Sequence, residues 1–195
     1  MIIVGPAELD YHSHESVAYF KETLTMHAFE NYRLGIDDEE IDISTSEEHQ
    51  LAATKIVEQC RRDISIISRQ LDPRVYDTQE FINAVKATVL ANRRTRVRIM
   101  VFESQLIARR GHLLLHLAAS LPSYIEFRKP GREYDHFNES LFVGDSTAYV
   151  FRNNAERFEG KINFSDKRKS KTFMDVFEEM WARSSPDANL RSLSL

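Results

Sequence analysis

Short apolar strands alternate with helices of about 15 residues along most of this 195-residue chain. The segments 64–67 and 97–102 are typical of buried strands, because they are short and rich in β-branched and apolar residues. Between them, apolar residues recur at helical spacing. Strand and helix alternation of this kind favours helices packed on a partly parallel sheet. The sequence therefore predicts an α/β domain whose mixed β-sheet is flanked by helices on both faces.

The predicted elements divide the chain into three segments. Residues 39–184 are predicted to form the α/β domain, which starts with a short strand, a helix capped by Ser46 and a central strand. Residues 1–38 are predicted to be an N-terminal extension, partly helical, that packs on the domain through its aromatic residues. Residues 185–195 are predicted to be a C-terminal tail. Within the domain, one continuous helix is predicted over 104–120.

Composition favours a protein of a reducing compartment without a membrane span. No apolar run approaches the roughly 18–20 residues that a transmembrane helix needs. The N-terminus lacks the basic segment of a signal peptide. The single cysteine, Cys60, excludes an internal disulfide. Cytoplasmic localisation is therefore predicted, and no cofactor is expected because the G-x-G-x-x-G and Walker A loops are both absent.

Charge is distributed unevenly along the chain. The net charge is −4, and the acidic residues concentrate in the first 60 positions. Two basic clusters stand out: Arg94, Arg96 and Arg98 alternate along a predicted strand, and 167–171 opens the last helix. Such clusters can bind phosphates, but alternating arginines also protect a strand from edge-to-edge aggregation. Nucleic-acid binding is therefore not the favoured interpretation.

Two histidines of the predicted third helix, His112 and His116, are four residues apart and would share one face. Zinc sites use this spacing, but no glutamate follows the first histidine and no third ligand is evident nearby. Core or surface roles are favoured, and no metal site is predicted.

The strand at 138–145 resembles the H-x-K-x4-D motif of the phospholipase D superfamily, with its two reactive positions replaced. Asn138 holds the histidine position, Ser140 holds the lysine position, and only Asp145 is retained. A shifted register places His136 on the histidine position, but it then places Asn138 on the lysine position and Val143 on the aspartate position. Neither register contains the lysine.

The resemblance extends over about residues 40–184. The order of strands and helices agrees with one half of a phospholipase D-like protein, and Phe177 and Trp181 resemble a closing F-x-x-x-W pattern. The G-S-x-N segment that normally follows the motif is missing, since only asparagines near Arg152 match it. The chain more narrowly resembles a bacterial domain of unknown function associated with acetyltransferase-type proteins. The residues behind that second resemblance are Arg109, Gly111, His112, Leu114, Leu117, Ala118, Pro122, Ser123, Glu126 and Arg128.

The resemblance implies a particular loss of chemistry. In active phospholipase D-like enzymes the motif histidine attacks phosphorus and the lysine neutralises phosphate charge, with two motif copies per site. Asn138 is no comparable nucleophile, and Ser140 carries no positive charge. The predicted function is therefore a non-catalytic domain that binds an anionic ligand or a protein partner. The predicted groove residues are Arg128, His136, Asn138, Ser140 and Asp145.

Two alternatives remain open from the sequence. One is a divergent phosphodiesterase or nuclease that uses His136 as nucleophile and Arg128 or Arg152 in place of the lysine. The other is a homodimeric assembly domain that uses the apolar faces of the first and last helices, because single-motif relatives form dimers to complete a site. An acetyltransferase-type partner is the further expectation that the second resemblance implies.

Overall fold

A computed structural model describes residues 29–187 and Leu190. The helical part of the predicted N-terminal extension, up to residue 28, and most of the predicted C-terminal tail lie outside the described residues. The strands are β1 Ile41–Ile43, β2 Asp63–Ser68, β3 Arg96–Val101, β4 Ile125–Lys129, β5 Ser140–Gly144, β6 Ala148–Arg152, β7 Gly160–Asn163 and β8 Ser185–Pro186. The helices are α1 Ser46–Gln59, α2 Pro73–Tyr76, α3 Gln79–Ala91, α4 Ser104–Arg110, α5 Leu113–Ser120 and α6 Lys167–Ala182.

The strands of the described residues form one sheet in the order β1-β7-β6-β5-β2-β3-β4-β8. The neighbours β2, β3 and β4 are parallel, whereas β5 pairs with β2 in the antiparallel direction. The mixed sheet that the sequence predicts is thus confirmed. Its parallel centre matters for function, because the carboxyl ends of β2 and β3 meet at one edge of the sheet.

Each face of the sheet carries its own apolar core. Along β2, Ile64 and Ile66 pack against α1 and α3, whereas Ile67 packs against Phe177 and Trp181 of α6. Because successive strand residues point to opposite faces, one short strand contributes to both cores. Full burial of each isoleucine contributes about 1.5–3 kcal/mol. Helices on both faces are therefore confirmed.

The first and last helices bury their apolar faces within the chain itself. Ile56 and Val57 of α1, and Phe177 and Met180 of α6, are at most 1% exposed. These faces are therefore not available for the homodimer contact that the sequence assigned to them. In the described part of the chain, no helix is both long and apolar enough to cross a bilayer.

The start of α1 illustrates how local sequence sets an element. Thr45 rather than Ser46 is the cap: its hydroxyl accepts a hydrogen bond from the Glu48 backbone N–H, and the Glu48 carboxylate accepts one from the Thr45 N–H. This reciprocal pair satisfies donors that a helix start otherwise leaves free. The helix then packs over Gly144, where a side chain would collide with Ile56.

The predicted helix over 104–120 is in fact two helices. Gly111 interrupts it with a φ of 75°, a conformation that glycine adopts readily. His112 then caps α5, because its Nδ1 accepts a hydrogen bond from the Leu114 N–H and its Nε2 donates one to the Leu71 carbonyl. His112 and His116 therefore do not share a helix face as the sequence predicted. Burial lowers the pKa of His112, which suits this neutral capping role.

Residues 29–40 lie against the domain. The Tyr32 ring stacks on Phe164 at 5.2 Å, and the Gly35 N–H donates to the Phe164 carbonyl at 2.8 Å. The Glu40 carboxylate accepts hydrogen bonds from Lys161, Lys169 and the Tyr149 hydroxyl, and these bonds lower the pKa of Glu40 to about 2. This segment is thereby fixed to β7 and α6.

Candidate anion-binding cleft

A cleft of about 400 Å³ opens where β2 and β3 end. Ser68 is the last residue of β2, and Glu103 follows β3 by two residues. Ligands of open α/β sheets bind at such carboxyl ends. The lining residues are Ser68, Arg69, Gln70, Asp72, Pro73, Arg74, Glu103, Arg110, Arg152, Ala155 and Glu156.

Arg152 is the buried cation of this cleft, with a relative exposure of 4%. It ends β6 and lies directly opposite Ser140 of β5 in the antiparallel register. Its guanidinium donates to the Ser140 Oγ at 3.2 Å and to the Arg157 carbonyl at 3.2 Å. No carboxylate of residues 29–187 forms an ion pair with it. A buried charge with only neutral partners is costly, so an anion in the cleft would stabilise it.

Ser140 lies beneath this guanidinium, in the interior. It is 4% exposed, and its hydroxyl lies 3.5 Å from the Ile67 carbonyl. The buried phenol of Tyr76 lies close to this hydroxyl. Burial raises the pKa of Tyr76 to about 12, so this phenol stays neutral. Ser140 therefore contributes a hydroxyl to the interior of the cleft, and the positive charge beside it comes from Arg152 on the neighbouring strand.

The Phe158 ring forms cation–π contacts with two of the cleft arginines, Arg74 and Arg152. The guanidinium carbon of Arg74 lies 4.4 Å from the ring centroid, and that of Arg152 lies 5.0 Å from it. His49 anchors the same residue by donating from Nε2 to the Phe158 carbonyl at 2.7 Å. Burial lowers the pKa of His49 to about 4, and the charge of Arg152 acts in the same direction. His49 is therefore neutral, and its hydrogen bond holds Phe158 in place between Arg74 and Arg152.

The remaining charges of the cleft are partly paired. Arg69 forms an ion pair with Glu103 at 3.1 Å, and Arg74 forms one with Asp72 at 3.4 Å. Both pairs are partly exposed, so each contributes little to stability. Arg110, at the end of α4, is exposed and adds a further positive charge. Four arginines thus face three lining carboxylates, and Arg152 is the one that is buried.

Asn138 shapes the rim of the cleft. The side-chain amide of Asn138 donates to the Asn154 Oδ1 at 3.2 Å, and the backbone carbonyl of Asn138 accepts a hydrogen bond from the Ala155 N–H at 2.7 Å. Asn154 Oδ1 also accepts from the Glu156 N–H at 2.9 Å. Because Ala155 and Glu156 line the cleft, Asn138 holds a turn of the cleft wall in place.

His136 lies in an exposed turn beside the cleft and is not one of its lining residues. Its neighbours are fixed to the cleft wall, since Arg69 donates to the Asp135 carbonyl at 3.4 Å and to the Phe137 carbonyl at 3.0 Å. The backbone on both sides of His136 is thus held to the cleft wall, while His136 itself is exposed.

The structure does not bring all five predicted groove residues together. Asp145 follows the carboxyl end of β5, whereas Asn138 precedes its amino end, so the two lie at opposite edges of the sheet. The Asp145 carboxylate accepts three backbone hydrogen bonds, from Arg61 and Arg62 at 2.8 Å and from Asp63 at 3.0 Å. It therefore ties the turn before β2 and does not belong to the cleft.

Arg128 also lies elsewhere. Its guanidinium stacks over the Trp181 ring at 4.4 Å and donates to Glu126 at 2.7 Å. It therefore belongs to the packing of α6 on β4. Sequence reasoning missed Arg69, Arg74 and Arg110, which reach the cleft from the segment after β2, from α2 and from the end of α4.

Comparison with known proteins places the chain in a family. Residues 45–193 match the family described as a domain of unknown function, DUF7931. The chain belongs to the DUF7931 family. No curated protein matches it.

Solved structures resemble the DUF7931 domain in fold. TrmBL2, described as an archaeal chromatin protein with a novel mode of DNA binding, has a TM-score of 0.57 at 13% identity, over 89% of this chain and 63% of its own. Nuc of Salmonella typhimurium, a phospholipase D family member, has a TM-score of 0.51 at 12% identity, over 76% of this chain and 99% of its own. NucT of Helicobacter pylori has a TM-score of 0.54 at 11% identity, over 76% of this chain and 99% of its own.

These similarities confirm the phospholipase D-like fold that the sequence predicts. The DUF7931 domain shares with Nuc and NucT an arrangement that extends over nearly their whole length. At such low identity the comparison establishes the fold alone. The chemistry of this domain has to be argued from its own cleft.

Proposed function

We propose that this DUF7931 domain is a non-catalytic binding module whose cleft holds an anionic group, a phosphate or a carboxylate. The buried Arg152, which has neutral partners only, is the observation that carries the proposal. A guanidinium binds such oxyanions through two parallel hydrogen bonds. Arg74, beside the same Phe158 ring, supplies a second cation at the mouth of the cleft.

The absence of catalysis is supported by three positions. The amide of Asn138 is engaged with Asn154 and has no nucleophilic character. The hydroxyl of Ser140 is buried beneath Arg152. The imidazole of His136 is exposed on a turn, and it is not one of the residues that line the cleft. The arrangement thus keeps an anion-binding cation and lacks a positioned nucleophile.

The compartment we propose is the cytoplasm. The only cysteine, Cys60, is buried against α1, and burial raises the pKa of its thiol. A buried, protonated thiol behaves as a small apolar residue. Fractionation of cells that express the tagged protein, with recovery in the cytosolic fraction, tests this assignment.

Calorimetric titration with inorganic phosphate, dimethyl phosphate and acetate tests the ligand class. A charge-assisted hydrogen bond contributes about 1.5–3 kcal/mol, so Arg152→Met is expected to weaken phosphate binding by about 10- to 100-fold. Arg152→Lys should retain part of the affinity. Arg74→Gln, at an exposed position, should weaken phosphate binding several-fold. Arg183→Gln, at the exposed residue that follows α6, is the matched control and should leave phosphate binding unchanged.

Unchanged phosphate binding in both Arg152→Met and Arg74→Gln, with folded proteins by near-ultraviolet circular dichroism, would refute the cleft. Catalysis is tested separately with bis(p-nitrophenyl) phosphate. No turnover is expected for the wild type. Turnover that disappears in His136→Ala would overturn the non-catalytic assignment and support the divergent phosphodiesterase.

A further inference from the structure

Five exposed arginines meet at the sheet edge opposite the cleft. Arg61 and Arg62 form the turn between α1 and β2, and Arg93, Arg94 and Arg96 lie in or next to the turn between α3 and β3. We call these five residues the arginine cluster. Since β2 and β3 are parallel, their amino ends lie side by side and bring the two turns together.

The two turns are fixed to each other. The Arg96 N–H donates to the Arg62 carbonyl at 2.8 Å. The side chains of Asn92 and Thr95 both donate to the Arg61 carbonyl, at 2.6 and 3.3 Å. The cluster is therefore presented by an ordered part of the backbone, which reduces the entropy lost when a ligand binds.

The charge of the cluster is not neutralised by ion pairs. In residues 29–187, no carboxylate pairs with any of the five guanidinium groups. The other basic groups that the sequence singles out differ, because Arg98 pairs with Glu178 and Lys171 pairs with Asp175, both at 2.7 Å. Two acids lie beside the cluster. The oxygens of Asp145 are already occupied by backbone N–H groups, and Asp63, which follows Arg62, is partly buried and interacts with Arg62 through charge without forming an ion pair.

The row of alternating arginines seen in the sequence is thus rearranged by the fold. Arg98 leaves it to stack on Phe177 and Trp181 of α6. Arg61, Arg62 and Arg93 join it from positions that are distant or off the strand in sequence. The result is a group of arginines on two adjoining turns in place of a row along one strand.

We propose that the arginine cluster binds the phosphate backbone of a nucleic acid without reading its base sequence. Arginine binds phosphates bidentately, and closely spaced cations match a repeating phosphate chain. Binding to a membrane surface also requires an apolar face with several large side chains. Among the described residues, two large exposed apolar side chains lie beside the cluster: Leu90 near the end of α3, and Ile36, which lines a pocket together with Arg61. Ile36 precedes β1 and Leu90 lies on α3, so the two do not form one apolar helix face.

The proposal is independent of the anion-binding cleft. The six residues of β2 separate the two sites by about 20 Å at roughly 3.3 Å per residue. A variant in one site should therefore leave the other site unchanged, and the two proposals can fail separately.

Fluorescence anisotropy with labelled 20-nucleotide single strands and duplexes of mixed sequence, at 50–250 mM KCl, tests the cluster. Full engagement of five phosphates predicts a slope of log K against log salt of about −4.5 for duplex and −3.5 for single strands. The triple variant Arg61→Gln, Arg62→Gln, Arg94→Gln should reduce the steepness by about 2–3 and weaken binding at 50 mM KCl at least tenfold.

A control of equal net charge comes from three exposed residues elsewhere: Arg132→Gln, Lys167→Gln and Arg168→Gln. This control and Arg152→Met should both bind as the wild type does. The proposal is overturned by absent binding at 50 mM KCl, by equal losses in the control triple, or by loss in Arg152→Met. Tighter binding of the wild type to phosphatidylserine vesicles or to polyglutamate than to the oligonucleotides would likewise overturn it.

Discussion

Replacing Asp145 by alanine should unfold the domain more easily and leave anion binding intact. The carboxylate accepts three backbone hydrogen bonds at 2.8–3.0 Å from the turn before β2. Bonds to a charged acceptor contribute about 1.5–3 kcal/mol each, and water replaces part of this at an exposed turn. Asp145 also has a φ of 49°, which alanine tolerates less well. The free energy of unfolding should therefore fall by about 3 kcal/mol.

For a chain of this size, that loss corresponds to a Tm lower by about 6–12 °C, measurable by calorimetry or by urea unfolding. Asp145→Asn keeps one carbonyl oxygen and should lose roughly half as much. Asp175→Asn, an exposed acid on α6, is the control. The reasoning is refuted if Asp145→Ala leaves stability within about 0.5 kcal/mol of the wild type, or if it weakens phosphate binding while the domain remains folded.

Three further predictions concern stability. The pKa of His49 is about 4 in the folded protein and about 6.5 in the unfolded chain, so between these values the unfolded chain binds the extra proton. The free energy of unfolding should therefore fall as the pH drops through that window, by up to about 1.4 kcal/mol per pH unit. Urea unfolding at pH 7 and pH 5 should show a smaller fall in His49→Gln than in the wild type, and an equal fall would contradict the assignment. Gly144→Ala should destabilise by about 1–3 kcal/mol, because the new methyl would collide with Ile56 and lie 2.7 Å from the Cys60 Sγ; an unchanged Tm would refute the close packing of α1 on β5. Thr45→Ala removes the cap of α1 and should lower the free energy of unfolding by about 1 kcal/mol, a loss that Thr45→Ser should largely avoid.

Much of the fold could be predicted because its elements are locally encoded. The strands around Ile66 and Ile99 and the helix around Phe177 show clear periodicity, and the structure contains all of them. β7 was not predicted, because its four residues include a single large apolar side chain, Ile162, and pair with distant strands on both sides. Whether such a short segment forms a strand depends on its pairing with distant strands and not on its local sequence.

The candidate site was less accessible from the sequence. A motif alignment assigns Asp145 to the same site as Asn138, yet five strand residues place them at opposite sheet edges. The role of Arg152 could have been found by counting the hairpin register back from Gly144, which sets it opposite Ser140. The approach of Arg74 to Phe158 brings α2 to the loop before β7, which is far away in sequence, and no local pattern reveals it.

Two expectations from the sequence stay predictions. These are the homodimer and the acetyltransferase-type partner. Since the apolar faces of α1 and α6 are buried in the chain's own cores, a homodimer would have to use other surfaces. Light scattering at micromolar concentration tests the dimer, and a monomer would count against it.

The central proposal is that Arg152, buried beside Ser140, is the cation that binds an anion in the cleft. The most direct measurement is a crystal structure of the protein soaked with phosphate. The account predicts a phosphate in the cleft with its oxygens about 2.7–2.9 Å from the Arg152 guanidinium nitrogens. Phosphate density only at other surfaces, with the cleft occupied by water at the same concentration, would contradict it.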